Sequence, residues 1–277
     1  MKIPEFVQSI LRRYDEQNGP LLAKGLSFNF LLGFLPMIFL AFWTAALLVD
    51  LAPGLQEILE AEVVRALPGA MHELVNNQIS HLGRSKGTLG LITLFTFVVT
   101  VFFLFESLER TVRTMVGGQG RSWLKTRAIN LMMVVGSIIF VYTAALFSVV
   151  GRVIKDMGFL PPRLLSLGAP ALSIIIIGLF FAFCEYIYLQ RKVELPPLLL
   201  ISLGASAAWF FAAAFSGTLV RTAGRRFVVY GAITGAVTYT MFLRILAEIV
   251  IFATLLIREF ALKEEGEQKE AMDGEDV

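Results

Sequence analysis

Apolar positions recur along this chain in two patterns, and the change between them divides it. Ile3, Phe6, Val7, Ile10, Leu11 and Tyr14 fall at intervals of three and four residues. That spacing predicts an amphipathic helix whose wet face carries Lys2, Glu5, Arg12, Arg13, Asp15 and Glu16. Asn18-Gly19-Pro20 is the stop signal, so residues 1–20 read as an interfacial segment. Such a helix either lies along a membrane surface or packs on the cytoplasmic ends of a bundle. Beyond it the pattern becomes long runs with scarcely a charge, at 26–49, 88–105, 128–150, 164–184, 195–220 and 227–257. Crossing the hydrocarbon takes about 20 apolar residues. The runs therefore predict an all-α polytopic membrane protein with six transmembrane helices in a domain of residues 21–260.

The connections add detail. Residues 51–87 form the longest hydrophilic link, and two short helical periodicities flank Pro68-Gly69, which predicts a helical extracytoplasmic insertion. His72 and His81 are nine apart, which is not the i, i+4 placement that puts two imidazoles on one metal. They read as solvated side chains. Gly33 and Pro36 interrupt the first run, where proline removes a backbone hydrogen bond and predicts a kink. The second run leads directly into Glu106, Glu109, Arg110 and Arg113, which either pair along a helix entering water or, for Glu106, turn inward as part of a polar site. Gly117-Gly118-Gln119-Gly120 lacks the lysine and the strand-loop-helix setting of a phosphate loop. The small residues Gly204 to Ala208 predict close helix packing in the fifth run. Residues 261–277 are rich in acids and poor in apolar groups, which predicts a disordered tail.

Composition supports the membrane reading. Of 277 residues, 56% are hydrophobic, 24 are Phe and only 17% are charged, against about 25% charged in soluble domains. The single cysteine, Cys184, excludes an intrachain disulfide and a cysteine metal site. No cleavable signal peptide is visible, so the first span must direct insertion. With the N-terminus inside, 14 Lys and Arg fall on the inner side and nine on the outer, which predicts cytoplasmic termini in a bacterial inner membrane. Arg221, Arg225 and Arg226 run against that bias. They either meet anionic lipid headgroups or are solvated and paired in the loop.

The last run holds the most unusual chemistry. Arg244 and Glu248 stand near its middle, four residues apart and so on one helix face. A charge at mid-bilayer costs about 2.5–3.5 kcal/mol on insertion scales, so the pair calls for a role. In one reading Arg244 receives an anionic headgroup when released from Glu248, with Glu248 or Glu106 taking up a proton. Gly33, Pro36, Tyr230 and Gly231 then supply irregular helix where the bundle opens. In the other reading the pair locks helices together.

The run from Ala23 to Leu40, AKGLSFNFLLGFLPMIFL, resembles the opening motif of the YihY/BrkB family of bacterial inner-membrane proteins. Pro196, Gly204 and Trp209, then VVYGAITGAV with Tyr230-Gly231, then LAEI with Glu248, extend the likeness over about residues 20 to 260. Leu246 departs from the family's usual glycine before Ala247-Glu248, and its asparagine near the end of the second span has no counterpart around Val112-Arg113. The resemblance implies a six-helix inner-membrane bundle. Members have carried a ribonuclease label, a virulence label and proposals of envelope-lipid or lipopolysaccharide-precursor transport. A nuclease needs metal-holding carboxylates or a positioned acid-base pair, which this sequence lacks at ligand spacing. The expectation is therefore a non-enzymatic transporter or flippase of an amphipathic, anionic envelope lipid. It has membrane lipids as partners and no catalytic residue, cofactor, metal or nucleic acid. The alternative is a scaffold or accessory protein of envelope biogenesis, working with a protein partner.

Overall fold

The structure, a computed structural model, describes residues 3–48, 88–118, 120–156, 162–189, 193–226 and 231–275. Among the described residues all regular structure is helical: α1 (Ile3–Glu16), α2 (Gly19–Leu48), α3 (Thr88–Val116), α4 (Trp123–Asp156), α5 (Pro162–Leu189), α6 (Leu195–Arg226) and α7 (Gly231–Glu275). Among these residues, four helices hold stretches long and apolar enough to cross a membrane: Trp123–Phe140, Pro170–Leu189, Leu195–Ser216 and Tyr239–Phe260. The first two apolar runs lie in α2 and α3, of 30 and 29 residues. The expected insertion at 51–87, with both histidines, lies outside the described residues.

Helix ends follow capping rather than hydropathy. Asn18 adopts φ 54°, a left-handed conformation that asparagine tolerates. Its carbonyl accepts from the backbone N–H groups of Leu21 and Leu22 at 2.9 and 3.1 Å. The chain thus turns within two residues, and α2 starts at Gly19, well before the apolar run. At the end of α3, Gly117 takes φ 73°. Gly117 N donates to Thr114 O at 3.3 Å and Gly118 N to Arg113 O at 3.1 Å, the paired bonds of a Schellman cap. The next two carbonyls accept from arginines of other helices, Arg13 Nε to Met115 O and Arg258 Nε to Val116 O, each at 3.3 Å. Positive side chains at a helix C-terminus also meet the negative end of its dipole.

The N-terminal helix packs on the bundle, the second of the two placements its pattern leaves open. It runs antiparallel along α7, with Phe6 edge-on to Phe260, Ser9 within 3.5 Å of Glu259 and Tyr14 stacked on Phe252 at 5.0 Å. The acidic tail read as disordered is helical backbone to Glu275. Glu, Gln, Lys, Ala and Met are good helix formers, and the preceding span removes the cost of nucleation. Composition alone weighs the missing apolar contacts and overlooks that help.

The run of small residues in α6 does permit close packing, and the partner is Gly178 of α5. A Cβ at Gly178 would stand 2.7 Å from Leu203 Cδ2, 3.0 Å from Ser206 Oγ and 3.1 Å from the backbone Cα of Leu203. Ser206 Oγ donates across the same interface to Ile174 O at 2.8 Å. Gly178→Ala is expected to lower stability by about 1–3 kcal/mol through overpacking, read as a fall in thermal unfolding temperature in detergent. Gly204→Ala is expected to show no loss, because a Cβ at Gly204 meets nothing within 4 Å.

Candidate functional site

The charged pair of the last span forms. Arg244 Nε lies 2.8 Å and Nη2 2.5 Å from Glu248 Oε1, the geometry of an i, i+4 pair on one face. A third residue joins it from α1: the Tyr14 hydroxyl is 2.7 and 2.9 Å from the two carboxylate oxygens of Glu248. Tyr14 is seated over Gly19, where a Cβ would sit 2.3 Å from its ring. Burial, then the hydrogen bond to Glu248, push the Tyr14 phenol up to about 12. The triad is not sealed, since the Arg244 and Glu248 side chains remain 29% and 23% exposed.

A partly open cavity of about 280 Å³ lies elsewhere, lined by residues of α2 to α7 and with almost wholly apolar walls. Helix α7 contributes Leu243, Leu246 and Val250 to it. At 100° per residue, those positions lie roughly 150° around the helix from Arg244 and Glu248. The pair and the cavity thus occupy nearly opposite faces of α7. Neither Arg244 nor Glu248 lines this cavity, and the Arg244 guanidinium is bonded to Glu248 at the junction of α1 and α7.

Glu106 belongs to a different network. Its carboxylate meets Arg127 Nη1 of α4 at 3.1 Å and Arg110 Nη2 at 3.9 Å, and the Arg127 guanidinium lies over the rings of Phe102 and Trp123. Glu106 therefore pins α3 to α4 rather than joining Glu248. Gly33 and Pro36 are buried within α2, which stays helical through both. Gly33 lines the cavity, and a Cβ there would meet Leu104 Cδ2 at 3.7 Å. Gly231 opens α7, while Tyr230 lies outside the described residues. Arg221, Arg225 and Arg226 are in the last turns of α6, with side chains outside the described residues. Among the described residues no cluster of three His, Cys, Asp or Glu could hold a metal.

Glu185, the residue that directly follows the fourth run, is among those lining the cavity. It is 2% exposed. Thr254 of α7 donates to its Oε1 at 2.7 Å, while Oε2 has no partner. Tyr188, one turn on and also lining the cavity, donates to Asn130 Oδ1 at 3.1 Å. One signal in the sequence pointed to Glu185: residues three and four away on either side are Phe181, Ala182, Tyr188 and Leu189, so its helix offers it no opposite charge. Nothing in the local pattern pointed to Asn130.

A family model described as virulence factor BrkB matches residues 10–276. No curated protein and no solved structure matches the chain.

Tyr14→Phe keeps the ring stack and deletes the bond to Glu248. It is expected to weaken docking of α1 by about 1 kcal/mol after allowance for partial exposure, seen as faster hydrogen exchange confined to residues 3–16. Glu248→Gln is expected to cost more, because Arg244 also loses its counter-charge. With a folded value of about 12 against an ordinary 10.0, the native state holds the Tyr14 proton longer than the unfolded chain does. The contribution is complete below pH 10 and is lost as pH rises through 12. Exchange from wild-type α1 is expected to rise across that window, beyond the chemical rate, and this excess is expected to vanish in Tyr14→Phe.

Proposed function

The chain belongs to the virulence factor BrkB family, and we propose that it moves an amphipathic envelope lipid across a bacterial inner membrane. The apolar part of the lipid enters the cavity between α2 and α7. The observation that carries this reading is the cavity itself, about 280 Å³ with almost no polar wall. Ligand sites of helix bundles characteristically lie between their helices and are lined mostly by apolar side chains, as this one is.

In this reading α2 to α7 are six spans with both termini cytoplasmic, in keeping with the excess of Lys and Arg on that side. An anionic headgroup, of the phospholipid or lipopolysaccharide-precursor type, stays in the polar boundary while the chain threads the bundle. No catalytic step is involved. The sequence has no nucleotide-binding loop, so uphill movement draws on an ion gradient or a partner. The competing reading, a scaffold of envelope biogenesis, is favoured by the Tyr14, Glu248 and Arg244 triad, whose geometry suits docking of α1.

The two readings separate in proteoliposomes holding headgroup-labelled anionic lipids, with and without a proton gradient. Wild type is expected to accelerate leaflet exchange over empty vesicles. Val101→Trp, which fills the cavity from α3, is expected to cut that rate at least about tenfold, equivalent to about 1.4 kcal/mol of barrier, while the helical circular dichroism signal is kept. No acceleration for any lipid would overturn transport and leave the scaffold.

A further inference from the structure

At the corner between α3 and α4 two guanidinium groups share one carboxylate. The second apolar run ends at Phe105 and the third begins at Ala128, so Glu106 and Arg127, 3.1 Å apart, both stand one residue outside an apolar run. Arg110 faces the same carboxylate, but only at 3.9 Å. Its own helix offers it no second acid: the residues three and four away are Glu106, Ser107, Arg113 and Thr114, and Glu109 is bonded to Arg113 at 3.3 Å. The cluster thus sets two cations against one anion. It is also open, with the Arg110 and Arg127 side chains 66% and 37% exposed. Arg127 is steadied by the faces of Phe102 and Trp123, 5.2 and 5.6 Å from its central carbon. Trp123 itself is exposed, and indoles at the ends of spans sit at headgroup level. One turn or two toward the apolar side, Phe103 of α3 and Leu131 of α4 are exposed as well. At 100° per residue, Phe103 lies within about 20° of Arg110 around α3 and Leu131 within about 40° of Arg127 around α4. Cations and apolar side chains therefore stand in file on both helices.

We propose that this corner binds an anionic phospholipid, with the headgroup phosphate between Arg110 and Arg127 and an acyl chain along Phe103 and Leu131. The choice of phosphate follows from the donors. A guanidinium presents a planar fork that matches phosphate oxygens two at a time, and Glu106 uses only part of the donor capacity of two such forks. The choice of a net negative headgroup follows from the charge count, because a zwitterionic one brings its own cation beside an existing surplus. A soluble phosphate meets the same guanidinium groups but leaves Phe103 and Leu131 uncovered. A lipid covers both. The inference rests on the reading that α3 and α4 cross a membrane and that the chain handles an anionic lipid, and it adds the place where the headgroup is held.

The test titrates the full chain in detergent micelles with phosphatidylglycerol or with phosphatidylcholine of the same acyl chains, and counts bound lipids by native mass spectrometry. Wild type is expected to bind phosphatidylglycerol about tenfold more tightly than phosphatidylcholine. Arg110→Gln leaves the bond from Arg127 to Glu106 in place, and it is expected to cut that preference to about threefold, the size of one partly exposed ion pair. Arg127→Lys keeps the charge, loses the fork, and is expected to act alike. It carries the test if Arg110→Gln does not fold. Lys125→Gln removes an exposed positive charge from the same end of α4 and is expected to leave the preference unchanged. No preference in wild type, a full preference in folded Arg110→Gln, or an equal loss in Lys125→Gln, which would make the effect one of general surface charge, would each overturn the proposal. Excess inorganic phosphate at matched ionic strength is expected to leave the bound lipid in place, and displacement would overturn the lipid as occupant. Leaflet exchange measured on the same variants in proteoliposomes keeps the two claims apart. Exchange without the preference sinks the headgroup site alone, and the preference without exchange sinks transport and leaves the site standing.

Discussion

In a hydrocarbon interior a polar atom can be satisfied only by another part of the protein, and this constraint decides how the helices are joined. The Ser206 hydroxyl reaches the Ile174 carbonyl from α6 to α5, Thr254 reaches Glu185 from α7 to α5, and Tyr188 reaches Asn130 from α5 to α4. Each bond fixes the register of two helices that apolar packing alone would allow to slide. At the end of α3, Arg13 and Arg258 take up carbonyls that the helix itself cannot bond, so the C-terminal ends of α1 and α3 meet the body of α7 at one point.

Helix α7 separates two tasks by facing. One face, through Leu243, Leu246 and Val250, closes the cavity. The nearly opposite face, through Arg244 and Glu248, holds α1 by way of Tyr14. A helix with charges near the middle of its apolar run thus keeps them from the cavity by rotation alone, and the amphipathic segment covers them. The same arrangement explains why α1 lies lengthwise on α7. Its apolar stripe finds Phe252 and Phe260, and its single phenol finds the one carboxylate on that stretch of helix able to accept from it.

Much of this architecture was legible in the chain. The long apolar runs are helices, the pairing of Arg244 with Glu248 follows from a four-residue spacing, and the small residues of α6 mark the side on which α5 comes close. Gly178, the residue that approach depends on, stands alone in its own run and carries no local signature. Glu106 illustrates the limit from the other side. Its spacing from Arg110 forecasts an ion pair, yet the shorter bond is to Arg127, 21 residues away on the next helix.

What the sequence by itself determined is whatever depends on neighbours along one helix: the periodicity of α1, the apolar length of the spans, the i, i+4 pairs and the turn at Asn18 and Gly19. These are set by a fixed rise and rotation per residue, so counting suffices. Tertiary structure alone decided which faces look at one another. It put Tyr14 on Glu248 across 234 residues and Thr254 on Glu185 across 69, and it turned Arg244 away from the cavity. The physical reason is that all six long helices contribute to the cavity, and the rotation of each about its axis is fixed by packing against the others, a quantity no single stretch of sequence contains.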